Sequence, residues 1–254
     1  MPTPNLNLAS VQEKIKEAKK YSNIIKDNAQ SFNGNVGKLI NLFFRDIQEA
    51  VRFGDDIDKI LDSLIAQIRE YLAHTIELSI TAACERERED KDTYLFLLPV
   101  EVTQCSTAYY EDTLTKYRDI LKSEIEFAIE SGYTEDMSIF LHNPQGYMAG
   151  KKNGLLSLKE NIKEVSNGVS YSFSDNMRKL GISVAALSYT NTEMYIWKTK
   201  ESIAGYFGTR NSNYPCALCD QYAHIFIPIS QGMIYPLHNR CVCSVVPLSQ
   251  SELL

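Results

Sequence analysis

The stretch that decides the C-terminal fold reads Cys216-Ala-Leu-Cys219, then residues 220–237, then His238-Asn-Arg-Cys241-Val-Cys243. Four of the six cysteines of the chain lie in these two short clusters. A tetrahedral zinc site takes four ligands from thiolates and imidazoles, and two cysteines separated by two residues can offer both sulfur atoms to one ion. The sequence therefore predicts a structural zinc site with five candidate ligands, namely Cys216, Cys219, His238, Cys241 and Cys243.

The segment between the two clusters has the pattern of a β-hairpin. Tyr222–Pro228 is rich in aromatic and branched residues, Ser230-Gln-Gly232 is a turn signal, and Met233–Tyr235 is a short apolar run. A hairpin over these residues would bring His238 back to the first pair of cysteines.

Five candidates for four positions leave alternatives open. Cys216, Cys219, His238 and Cys241 make a Cys3His set, in which Cys243 could replace either of the last two or be a small buried residue. His224 is a sixth candidate.

The cysteines could also form disulfides or be ordinary core residues. Met1–Ser10 is polar and does not resemble a signal peptide. A reducing cytosol would keep the thiols free, which favours metal over disulfides. Asp220 is the single carboxylate within the cluster, whereas a catalytic zinc needs an open position and a nearby base. The composition of the cluster thus favours a structural ion.

Composition limits the remaining classes of protein. The 254 residues suffice for one large domain or two small ones, and an apolar content of 44% supports a buried core. A net charge of −6 argues against a dedicated nucleic-acid binder, which usually carries a basic excess. No apolar run approaches the roughly 20 residues of a membrane-spanning helix, so no membrane segment is expected.

The rest of the chain has the apolar periodicity of helices. We expect a first helix from the capping box at Ser10 to about Asn28, a break at Asn33–Gly37, and a second helix from Leu39 to Gly54. A third predicted helix begins after Asp55 or Asp56 and continues into the charged, solvated run Glu85–Asp92. Three further helices are predicted, namely Ser106–Glu130, Leu155–Val165, and a stretch from Ser174 or Asp175 to about Ile203. The predicted fold class is mainly α with a small β-hairpin zinc module at the C-terminus, an α+β fold.

The C-terminal part resembles a known family, the head morphogenesis proteins of tailed phages named for protein F of phage Mu. The resemblance covers Ser174–Leu248, and Trp197 and Arg210 precede the first cysteines in the same order as in the family. The family usually has Arg-Thr-Glu where Asn191-Thr192-Glu193 stands here, and Val242 stands where an arginine is common. The residues that match the family motif are Cys216, Cys219, Gly232, Pro236, His238, Cys241, Cys243 and Pro247. The resemblance divides the chain into a helical region, residues 1–173, and a Mu protein F-like domain, residues 174–254.

The resemblance implies a minor structural protein of a tailed-phage virion and not an enzyme. Such a protein associates with the portal and other head proteins in several copies, lies in the capsid interior or portal region, and assists head assembly or DNA delivery. During assembly it would be found in the host cytoplasm. Weak contact with packaged DNA is compatible with this role.

Two other functions are compatible with the sequence. Because His224, His238 and Asn239 lie near the predicted metal, a zinc-dependent nuclease or toxin-type enzyme is one alternative. A weakly DNA-contacting zinc module is the other. Four basic and three acidic side chains give Lys198–Leu254 a net charge near +1, too little for binding driven by counterion release alone.

Overall fold

The chain is mainly helical and carries one small antiparallel sheet, as the sequence predicts. A computed structural model describes residues 11–90, 92, 102–130, 158–210, 216–237 and 241–253. The helices are α1 (Gln12–Phe53), α2 (Ile57–Glu87), α3 (Val102–Glu130), α4 (Leu158–Thr199) and α5 (Ala217–Tyr222). The strands are β1 (Ile203–Thr209), β2 (Ile227–Pro228) and β3 (Ser244–Ser249), and short 3₁₀ helices cover Ile229–Gln231 and Gln250–Glu252.

Helix α1 is continuous, so the predicted break at Asn33–Gly37 is wrong. Gly34 and Gly37 lie inside the helix, where each glycine costs about 1 kcal/mol relative to alanine. The apolar face continues without interruption, because buried side chains lie before, between and after the two glycines, at Phe32, Val36 and Leu39. Burial of such side chains contributes about 1.5–3 kcal/mol each, which outweighs the glycine cost.

The boundary between α1 and α2 follows the predicted signals. Gly54 adopts a positive φ of 74°, a conformation that glycine adopts readily at the end of a helix. The Asp56 carboxylate then accepts hydrogen bonds from the backbone N–H groups of Asp58 and Lys59, at 3.1 and 3.4 Å, and so caps α2. The predicted stripe of α2 is buried at Leu61, Leu64, Ile65, Ile68 and Leu72.

Helix α4 is a single helix, whereas the sequence predicted a short helix and a separate longer one beginning near Ser174. It also ends earlier than expected, at Thr199. The backbone N–H of Ile203 donates to the carbonyl of Lys200 in a turn, and Ile203 is the first residue of β1. The residues of this turn are therefore not part of the helix.

The sheet has the order β2-β1-β3, with both neighbours antiparallel to β1. The predicted hairpin is wrong in its strands. Tyr222 ends α5, only Ile227 and Pro228 form a strand, and Met233–Tyr235 is not a strand. Both short strands instead pair with β1, which lies directly after α4.

The chain forms two compact units, each built from separate parts of the sequence. The first contains the described residues within 1–31, 73–109 and 179–254, and the second those within 32–72 and 110–178. The predicted boundary between residues 173 and 174 falls inside α4 and stays a prediction, since it rests on the resemblance.

Among the described residues of the first unit, two clusters of buried apolar side chains contribute to the core. One joins α1 to α2 and α4 and consists of Tyr21, Ile25, Ala82, Ala83, Ala185, Ala186 and Tyr189. The other joins the beginning of α1 to the sheet and consists of Val11, Ala18, Phe207, Val246 and Leu248. The sheet is thus packed directly on α1.

In the second unit, ion pairs join the surfaces of α2 and α3. The Arg118 guanidinium donates to Asp58 and Asp62 at 2.9 and 2.7 Å, and Lys122 donates to Asp58 at 2.7 Å. These hydrogen bonds hold the pKa of the Asp58 carboxyl below its ordinary value, the bond from Lys122 being the largest cause.

No helix within the described segments combines the length and the apolar character needed to cross a membrane.

Candidate metal centre

The structure brings three of the predicted ligands together. Cys219 lies in α5, whereas Cys241 and Cys243 lie just before β3. Their Sγ atoms all lie within 4.8 Å of one another, and the three side chains are buried. These three cysteines could therefore hold one metal ion.

The spacing of the sulfur atoms agrees with a tetrahedral thiolate site. The Sγ atoms of Cys219 and Cys241 are 3.8 Å apart. Four sulfur atoms placed tetrahedrally at about 2.3 Å from zinc would be separated by roughly 3.8 Å. A disulfide would require about 2.05 Å, and the cysteines of the cluster are free thiols. The donor set and its geometry therefore suit a thiophilic metal.

Cys216 lies beside this group of three, at the beginning of α5. It is the N-cap residue, and its Sγ accepts a hydrogen bond from the backbone N–H of Cys219 at 3.4 Å. Its side chain is half-buried, whereas that of Cys219 is buried. The C-x2-C spacing thus uses one cysteine to begin the short helix and places the next one in the cluster.

His238, the histidine among the five predicted ligands, lies outside the described residues. The structure therefore leaves its role as a prediction. His224, the sixth candidate, is exposed and does not join the three clustered thiols; its ring packs against Phe207 with a centroid distance of 5.6 Å.

The close packing of the thiols separates their pKa values. A hydrogen bond from Cys243 lowers the pKa of Cys241 to about 5, and burial raises the pKa of Cys219 to about 12. The pKa of Cys243 is also raised, first because its thiol donates to Cys241 and second because it is buried. The thiolate of Cys241 is thus stabilised by the neighbouring thiols of Cys243 and Cys219. A bound cation would take the place of the protons on these two thiols.

Two tyrosines fix the described part of the loop before Cys241, at residues 232–235. The Tyr206 hydroxyl donates to the carbonyl of Gly232 at 2.7 Å and accepts from the backbone N–H of Ile234 at 3.0 Å. The Tyr235 hydroxyl donates to the carbonyl of Tyr222 at 3.1 Å, next to the end of α5. A Cβ atom on Gly208 would lie 1.9 Å from that hydroxyl, so only glycine allows this close approach. These contacts hold α5 and the loop together around the thiols.

The carboxylate nearest in sequence to the thiols is already paired. Asp220 forms a close ion pair with Arg210 at the surface of the module. The negative charge of Asp220 is therefore balanced by the Arg210 guanidinium.

A second buried polar cluster was missed by the sequence analysis. The Arg86 guanidinium forms a close ion pair with Glu193 and donates to the carbonyl of Val245 at 2.8 Å. The sequence placed Arg86 on a solvated helix end, but its side chain is 3% exposed and that of Glu193 is fully buried. Burial raises the pKa of Glu193 to about 7, against the opposing effect of Arg86. The sequence signal was Glu193 itself, the one charged residue between Lys179 and Lys198.

No protein-family model, curated protein or solved structure matches this chain.

Proposed function

We propose that this chain is a minor structural protein of a tailed-phage virion whose C-terminal module is folded around a structural zinc ion. The observation that carries the proposal is the group of three buried thiols whose Sγ atoms lie within 4.8 Å of one another, within the C-x2-C…H-x2-C-x-C pattern. Its association with phage heads is supported by the resemblance of that pattern to the head morphogenesis family.

In this proposal Cys219, Cys241 and Cys243 supply three ligands. The fourth comes from Cys216, which lies beside Cys219, or from His238. Zinc is the expected ion because a site of thiolates, with or without an imidazole, is the usual structural zinc site of proteins. When bound, zinc supplies a cross-link between the short helix α5 and the segment before β3, which belongs to no helix or strand.

A structural role is also supported by the surroundings of the thiols. Asp220 is paired with Arg210, and the three clustered thiols are buried. These features are typical of a structural zinc site, because a catalytic zinc keeps one coordination position open to water or substrate. The protein would act with the portal and other head proteins, in several copies, within the virion.

Metal content tests the zinc site. Protein purified under reducing conditions, without added chelator, should contain about one zinc ion per chain, and Cys219→Ser should lose most of it. Cys84→Ser is the matched control, since Cys84 is fully buried in α2 of the same unit but lies outside the cluster. Wild-type protein without metal, or full retention of zinc by Cys219→Ser, would refute the assignment.

The association with virions has a separate test. Particles of the phage that encodes the chain should contain it after density-gradient purification, as detected by mass spectrometry. It should also co-purify with the portal protein from disrupted heads. Absence from purified particles would reject the phage-head role and leave the metal site unaffected.

A further inference from the structure

The segment that carries two of the thiols lies beyond the regular sheet. The pairing of β1 with β3 ends at Thr209 and Ser244, one residue after Cys243. Cys241, Val242 and Cys243 therefore belong to no strand, and this ladder does not fix the peptide groups between the two thiols.

A side chain from α1 holds this segment. The hydroxyl of Ser22 donates a hydrogen bond of 2.8 Å to the carbonyl of Val242, the residue between Cys241 and Cys243. Ser22 and Val242 are separated by 220 positions in sequence, and both lie in the first unit.

The surroundings of Ser22 make this hydrogen bond costly to lose. Ser22 is 1% exposed and lies on the face of α1 that also buries Ala18 and Ile25. A buried hydroxyl needs a hydrogen-bond partner, and without one it destabilises the folded state. Two other buried serines of the same unit donate to carbonyls of their own helices, Ser79 to Thr75 and Ser188 to Val184. Ser22, by contrast, reaches a residue between two candidate ligands.

From this contact we infer that Ser22 is a positioning residue for the metal centre, setting the orientation of the Cys241–Cys243 segment through the Val242 carbonyl. The inference rests on the proposed zinc site. In a Cys-x-Cys segment the peptide groups on either side of the middle residue fix the directions of both Cβ atoms. The Val242 carbonyl lies in the peptide group that joins Val242 to Cys243, so holding it fixes the direction of the Cys243 side chain and restricts that of Cys241. Residues that orient metal ligands in this way typically change metal affinity about 10- to 100-fold when they are replaced.

The test uses Co²⁺ as the probe with the full-length chain. Co²⁺ bound to thiolates gives a sulfur-to-metal charge-transfer band and visible ligand-field bands that report coordination geometry directly. Ser22→Ala should weaken Co²⁺ binding about 10-fold and alter the ligand-field bands, whereas Ser22→Thr, which keeps the hydroxyl, should restore most of the affinity. Alanine is the best helix former, so the replacement should leave α1 helical.

Ser188→Ala is the matched control, since it removes an equally buried hydroxyl from the same unit, one that donates to the carbonyl of Val184 in its own helix. It should leave the Co²⁺ affinity and spectrum unchanged. Equal affinity of wild type and Ser22→Ala, or an equal loss in Ser188→Ala, would overturn the positioning role while leaving the metal site standing. A wild-type chain that binds neither Co²⁺ nor Zn²⁺ would instead overturn the proposed zinc site, and the role of Ser22 with it.

Discussion

At the scale of single residues, the Arg86–Glu193 pair shows how one buried contact links three elements. Arg86 extends from α2, Glu193 lies on α4, and another guanidinium hydrogen bond reaches the carbonyl of Val245 on β3. A guanidinium is suited to this position because it donates several hydrogen bonds in a fixed plane. The pair therefore specifies how the helices of the first unit meet the sheet.

Removing one partner of this pair should be far more costly than removing both. Arg86→Met leaves the Glu193 carboxylate buried without its counter-charge, and we expect a loss of about 3–5 kcal/mol in the free energy of unfolding. The double variant Arg86→Met/Glu193→Leu should recover a large part of that loss, because no unpaired charge remains. Urea unfolding followed by circular dichroism gives both values.

An exposed ion pair provides the comparison. Arg69 pairs with Glu111 at 2.8 Å near the surface, and Arg69→Met should cost less than about 1 kcal/mol. If Arg86→Met proves as mild, or if the double variant is no more stable than the single one, the pair does not have the role described.

Gly208 gives a second prediction at this scale. A methyl group there overlaps the Tyr235 ring, with the nearest atom at 1.9 Å, so Gly208→Ala should destabilise the protein by about 1–3 kcal/mol. The same methyl group at Gly37 meets nothing within 4 Å, which makes Gly37→Ala the control. Thermal unfolding should separate the two variants in opposite directions, and a neutral Gly208→Ala would show that the loop can move away.

At the scale of elements, local periodicity predicts helices well. The apolar stripe of α2, its Asp56 cap and the Gly54 stop all lie between Gly54 and Leu72, so the local sequence contains every signal for this helix. Continuity of α1 could not be predicted in the same way. Two glycines locally favour a break, and only burial of the side chains around them shows that the helix continues.

That continuity has a direct test in Gly34→Ala. Inside a helix, with open space around the new methyl group, alanine should stabilise the protein by about 1 kcal/mol. In the break that the sequence predicted, the substitution would bring no such gain. The measurement is the urea midpoint of the variant against the wild type, and an unchanged or lower midpoint would favour a break at this position.

Strand pairing and the surroundings of the metal site depend on distant residues. The sequence identified the cysteines by their spacing, and three of the five predicted ligands lie together. The hairpin was wrong because β1 follows α4 and offers both of its edges to later segments, a choice that no local pattern shows. Ser22 could not be identified either, since it reaches the cluster from 220 positions away.

At the scale of the whole molecule, the two ends of the described chain meet in the first unit. Lys14 donates to the Glu252 carboxylate at 2.7 Å and to the carbonyl of Pro247 at 3.2 Å. The same carboxylate accepts from the backbone N–H and the hydroxyl of Ser249, both at 2.8 Å. Val11 and Ala18 pack on the sheet beside this contact. The beginning of α1 is thus bound to the last strand by apolar and polar contacts together.

This contact predicts a dependence of stability on pH. Burial alone would raise the pKa of Glu252, but the bonds from Lys14 and Ser249 outweigh it and lower the pKa. The unfolded state therefore binds more protons in this range, so the contribution of Glu252 is complete above its ordinary pKa of about 4.5 and is lost as the pH falls through the folded value. Glu252→Gln should accordingly be less stable than the wild type at pH 7, and the difference should shrink below about pH 4.

Urea midpoints between pH 3 and 7 provide the measurement. Glu70→Gln is the control, since Glu70 is exposed on α2 and should show little difference from the wild type at any pH. A Glu252→Gln deficit that stays constant down to pH 3 would contradict the prediction.

The meeting of both ends in one unit also determines when that unit can form during translation. Ser22 leaves the ribosome 220 residues before Val242, its hydrogen-bond partner. At about 5–20 residues per second, this separation corresponds to roughly 10–45 seconds of synthesis. Throughout that interval the apolar face of the nascent N-terminal helix lacks the strands that cover it. Because exposed apolar surface favours association with other molecules, we expect chaperones to bind the growing chain until β3 has been synthesised.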